Sequence, residues 1–148
     1  MALIFYGSTT CSLCGCVLKE NENILAIPAA IANKADPLYK FNDQAFHLEC
    51  LKKQPEYKEL ELMLSLLNKH KSSKICFVCN LPITKPDDYI GLGLLTSDNS
   101  NPMFKYNFLE FHKQHFYEWE ERKVLAEYLK IQKESHQWVG DSLDFILG

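Results

Sequence analysis

The sequence predicts an α+β protein made of two repeated metal modules, each a Cys-x2-Cys turn, a β-hairpin and a helix. Three observations carry this prediction. Cys11-x2-Cys14 is followed after 32 residues by His47-x2-Cys50, and Cys76-x2-Cys79 is followed after another 32 by His112-x2-His115. Every one of these residues lies 65 positions from its counterpart. The offset also superimposes Asp36-Pro-Leu-Tyr-Lys-Phe-Asn42 on Asn101-Pro-Met-Phe-Lys-Tyr-Asn107, with three of seven positions identical. A period of this length marks one supersecondary unit used twice.

The first element of each unit is the Cys-x2-Cys turn. Two short ligand pairs far apart in sequence are what a tetrahedral Zn²⁺ site requires, since zinc takes four thiolate or imidazole donors. The ligands are therefore Cys11, Cys14, His47 and Cys50 at one site, and Cys76, Cys79, His112 and His115 at the other. Cys16 has Leu81 as its counterpart, so it reads as a small packed apolar residue rather than a ligand.

A hairpin should follow. Ile24 to Ile27 and Tyr89 to Leu95 are apolar and aromatic enough for one strand of each pair. The alternating aromatic and polar residues from Asp36 and from Asn101 read as the other. The second ligand pair then opens a helix, because positions i and i+3 face the same side. Pro55 suits a helix start, and Leu60, Met63, Leu66 and Leu67 keep helical spacing to about Lys69. After His115 the pattern predicts one long amphipathic helix to about Lys133. The tail from Trp138 to Leu147 reads either as packed on the body or as a docking segment. Module boundaries fall at 1–72 and 73–148, with Lys69 to Lys74 as a solvated linker and His70 and His136 as surface residues.

This order resembles the treble-clef zinc finger. Phe46-His47-Leu48-Glu49-Cys50-Leu51 is similar to the HxxC segment of the first zinc site of a LIM domain, and Cys79-Asn80-Leu81-Pro82-Ile83 to the knuckle that opens such fingers. A LIM domain continues at once with a second metal site. No Cys follows Cys50 or His115 at that spacing, so each half resembles half a LIM domain. The resemblance implies two structural zinc ions per chain and a binding role.

Composition narrows the function. The chain has 148 residues, 47% of them hydrophobic, and a formal charge of −3, which suits a folded protein rather than a disordered one. Fifteen lysines accompany a single arginine, Arg122, and no clustered basic face stands out, so nucleic-acid binding is the alternative rather than the first reading. That alternative would use the Lys-rich middle and the aromatic stretches. The N-terminus lacks the charged and long apolar regions of a signal peptide. The longest run of apolar residues and proline, Ile24 to Ala32, is nine residues and too short to span a membrane. Reduced cysteines holding zinc predict a cytoplasmic protein.

Four protein ligands at each site leave no position for a reacting water, which predicts structural metals and no enzyme. Cys3His with Zn²⁺ carries about −1 charge, while Cys2His2 is neutral. Glu49 and Glu110 lie near ligands, as a general base would, but their counterparts are Gln114 and Ala45, so the two halves do not share them. Zinc-dependent hydrolysis or nuclease chemistry is the third reading. The first is non-enzymatic binding of another protein, as an adaptor or an inhibitor of the immunity-protein kind.

Overall fold

The computed structural model describes residues 3–70 and 74–148, apart from the side chain of His70. The surface reading of His70, and residues 71–73 of the linker, lie outside the described residues. Among the described residues the architecture is α+β, with two two-stranded antiparallel sheets and four α-helices. Strand β1 (Ile24–Ile27) pairs with β2 (Gln44–His47), and β2 runs directly into α1 (Leu48–Lys52) and then α2 (Tyr57–His70). In the second half β3 (Tyr89–Gly91) pairs with β4 (Glu110–His112), followed by α3 (Lys113–Glu118) and α4 (Arg122–Glu134). The registers correspond: Ile24 faces His47 and Tyr89 faces His112.

The stretches from Asp36 and Asn101 are not strands. They form 3-10 turns at Tyr39–Phe41 and Pro102–Tyr106. Asn101 accepts the N–H of Met103 on its side chain at 2.9 Å, and Asp36 does the same for the N–H of Leu38 at 2.9 Å. An Asx side chain at that place, followed by proline, starts a turn by satisfying the first free backbone donor. The buried residues are then Leu38 with Phe41 and Met103 with Tyr106, spaced by three as a 3-10 turn dictates. The strand that pairs with β1 comes later and ends on His47.

Each turn is tied back by an asparagine. Asn42 accepts from the N–H of Ile31 at 3.1 Å and donates to its carbonyl at 2.9 Å. Its counterpart Asn107 accepts from Leu95 and Thr96 and donates to the Thr96 carbonyl at 2.7 Å. Just beyond each, Asp43 and Phe108 hold positive φ angles of 54° and 60°.

The helix expected from His115 to Lys133 is two helices. It breaks at Trp119, whose extended ψ of 119° lets the indole reach Phe111 at 4.8 Å and Tyr106 at 5.4 Å between ring centres. No proline or glycine marks this break. Burial of the ring against the core overrides local propensity. Between α1 and α2 the break is written in the chain, since Pro55 cannot donate and disfavours helix at Gln54.

Two cores support the two sheets. The first is largely aliphatic around Phe41 and Phe46, and it takes in Leu94 and Phe108 from the second half. The second gathers Tyr106, Phe111, Phe116 and Trp138 with Leu125 and Leu129 of α4. The tail packs on the body: Trp138, Leu143 and Ile146 are buried, and the 3-10 turn Asp144–Leu147 lies against α4. It also clips the first half, where Val139 N–H donates to Ala32 at 2.8 Å and Lys34 N–H to Gln137 at 2.7 Å. Buried Asp36 completes the seam by accepting the Ser97 N–H at 2.7 Å and the Ser97 hydroxyl.

Candidate metal centres

Each cluster is assembled from a tight turn and a helix start. In the first turn the Cys11 N–H donates to Cys16 and the Gly15 N–H to Cys11, both at 2.8 Å. In the second the Cys76 N–H donates to Leu81 at 3.0 Å and the Asn80 N–H to Cys76 at 2.9 Å. Gly15 and Asn80 occupy the left-handed region at φ 75° and 59°, the conformation that closes so sharp a turn. Flanking bridges join Thr10 to Val17 and Ile75 to Pro82.

The hairpins then aim the second ligand pair. His47 and His112 end their strands and stand at the N-caps of α1 and α3, so Cys50 and His115 sit on the first turn. The backbone N–H of His47 donates to Cys11 Sγ at 3.4 Å, and that of His112 to Cys76 Sγ at 3.4 Å. These two thiols are fully buried, which pushes their pKa up, yet backbone donors outweigh burial and bring each down to about 6. For Cys11 the donors are Cys14, His47 and Leu13; for Cys76 they include Cys79, His112 and Val78. Backbone donation of this kind favours the thiolate, the form that ligates a metal.

Cys11, Cys14, His47 and Cys50 place one ligand atom each within 4.8 Å of one another, and Cys76, Cys79 and His112 do the same. Both clusters can hold a metal ion. His115 stands outside the second set, although its Nδ1 lies 3.4 Å from Cys76 Sγ. Cys16 is exposed and belongs to neither cluster, so the packed apolar role expected of it does not hold. The turn points it outward, as it does the exposed Leu81.

Two carboxylates missed by the sequence reading complete the picture. Glu22 binds His47 Nε2 at 2.9 Å, leaving Nδ1 beside Cys14 Sγ at 3.4 Å. Asp88 instead binds His112 Nδ1 at 2.8 Å and accepts the Lys113 N–H at 3.0 Å. A carboxylate on the far nitrogen fixes the ring and its tautomer for ligation through the other one. Each acid sits just before the first strand of its hairpin, the one signal that would have revealed it. The Cys14 thiol and the Glu22 carboxylate together raise the pKa of His47 to about 9. Burial, then Cys14 and Cys11, push Cys50 up to about 11. Binding an ion there displaces protons from both.

The two acids considered for catalysis are engaged elsewhere. Glu49 pairs with Lys52 at 3.1 Å, and buried Glu110 meets the Tyr89 hydroxyl. Among the described residues no helix is long and apolar enough to cross a membrane. No protein-family model matches the chain, and neither a curated protein nor a solved structure matches it.

Proposed function

We propose that the chain is a non-enzymatic protein-binding module held rigid by two structural zinc ions, its halves being treble-clef-like, LIM-like half-domains. It serves as an adaptor or as an inhibitor that occupies a partner in the cytoplasm. The thiolate and imidazole donors suit zinc, and the four donors gathered at the first cluster leave no place there for a reacting water.

The observation that carries the binding role is the tip of the second turn. Ile75, Phe77, Val78 and Leu81 are 49%, 50%, 47% and 61% exposed, on a turn whose shape the metal ligands would fix. A dense exposed apolar set on a rigid loop is characteristic of protein contact surfaces. The first turn presents Leu13 and Val17, which are less exposed, at 39% and 37%. Of the aromatic stretches that would stack nucleic-acid bases, Phe41 and Tyr106 are buried in the cores, while Tyr39 and Phe104 are half-buried.

The test is affinity capture followed by direct binding of the purified partner to the wild type and to Leu81→Asp, at the most exposed position of the turn. The expected result is a protein partner whose affinity drops at least tenfold in the variant. Retained nucleic acid with a steep salt dependence, and no protein partner, would replace this reading with the nucleic-acid one.

A further inference from the structure

We propose that the groove between α2 and the segment from Leu94 to Asn107 docks an amphipathic helix of a partner protein, one with an apolar face flanked by Lys or Arg. This rests on the protein-binding reading and adds a second surface with its own chemistry.

The groove encloses about 520 Å³, within the range of functional clefts of roughly 300–1,000 Å³. One wall is α2, with Leu62, Met63 and Leu66; the other is Leu94 and Phe104 from the second half. Glu59, Leu62, Met63 and Leu66 of α2 follow the i, i+3, i+4 rhythm of one helix face, and with Glu56 just ahead of the helix the row spans about 15 Å at 1.5 Å per residue. That length suits about three turns of a second helix, which reads a groove through apolar anchors at the same spacing. Leu62 is 56% exposed and stands at the groove as an unfilled contact.

Charge selects the occupant. The lining contains Glu56, Glu59 and Asp98 and no lysine, arginine or histidine. Lys40 pairs with Glu56 at 2.6 Å, and Asp98 accepts from Ser100 through one oxygen. Glu59 is exposed at the groove. An acidic rim around an apolar floor attracts a basic amphipathic segment and repels an acidic one. The floor is preformed, because Ser97 of the groove is clamped by buried Asp36 and Asn107 holds its own loop. A preformed groove avoids the ordering cost of binding.

The experiment is selection of a random twelve-residue peptide library, displayed on phage, on the full metal-loaded chain. Enriched peptides are then measured by fluorescence anisotropy. The expected result is peptides with apolar residues at helical spacing beside Lys or Arg, losing at least tenfold in affinity on Leu62→Lys and on Glu59→Lys. Both positions are exposed, and lysine is a good helix former, so the fold is kept. Acidic peptides, peptides indifferent to both substitutions, or no enrichment at all overturn the groove. If binding is lost only on Leu81→Asp, the groove falls while the protein-binding reading stands.

Discussion

In the first cluster Cys11, Cys14, His47 and Cys50 bring four ligand atoms within 4.8 Å of one another, whereas in the second Cys76, Cys79 and His112 do so and His115 stands apart. The backbones match: the same N–H groups reach the buried thiol, and the same helix position carries the last ligand. The residue at that position differs. An imidazole carries its nitrogen farther from Cα than cysteine carries its sulfur, so on equivalent helix turns the fourth donor arrives at a different point. The lesson is that the fold sets where ligands start, and side-chain length sets where they end. The cores compensate in the opposite sense. The first half leans on Leu94 and Phe108 borrowed from the second, while the second surrounds Phe111 with Phe77, Phe116 and Trp119.

The strongest way to break this comparison is to take the metal away. A structural zinc contributes roughly 10–16 kcal/mol of apparent binding energy, on the order of a small domain's whole stability of about 5–15 kcal/mol. Titration with a chromophoric chelator is expected to release two ions per chain in two steps, the site of Cys76 first. Hydrogen exchange is expected to show the first half losing more protection once its own ion leaves. Simultaneous release, or a chain that keeps its circular dichroism with no metal left, would contradict the asymmetry.

Next in size is the aromatic core. Phe111→Ala is expected to cost about 3–5 kcal/mol in urea unfolding, because a fully buried ring is removed from among neighbouring rings. Phe46, equally enclosed in the first core, should cost a comparable amount. A loss below about 1 kcal/mol at Phe111 would mean that the second half does not depend on its core in this way.

The carboxylates sharpen the comparison further. Glu22→Gln and Asp88→Asn are each expected to lower metal affinity at their own cluster roughly 10–100-fold, measured by competition with a chelator of known strength. The nitrogen-15 spectrum should show opposite ring nitrogens free, Nδ1 of His47 and Nε2 of His112, because the acids hold the other two. The same ligating nitrogen in both rings would remove the argument.

The smallest effect concerns the turns. Gly15→Ala is expected to cost about 1–2 kcal/mol, since a Cβ meets no atom within 4 Å and only the positive φ opposes it. Gly15→Asn should cost less, because Asn80 already holds that conformation in the other turn. Equal losses from the two variants would show that space rather than backbone conformation decides.

Much of the site was legible because metal ligands are few in kind and their spacing repeats. The doubled offset led to the residues the structure brings together in both clusters, with His115 the one that stands outside its set. β1 and α2 also followed from apolar runs, Pro55 and helical periodicity. The aromatic stretches read as strands because alternation and a three-residue spacing agree over so short a run, and only Asp36 and Asn101 as capping residues tell them apart. The break at Trp119 had no local signal at all.

The amino-acid sequence by itself determined the candidate ligand types and their matching spacing at an offset of 65, since each is a property of residue identity and interval. Tertiary structure alone decided which imidazole nitrogen faces each cluster, how His115 is placed, and how the tail and Asp36 lock the halves together. Those depend on distances between segments far apart in the chain, where burial and shape outweigh local preference.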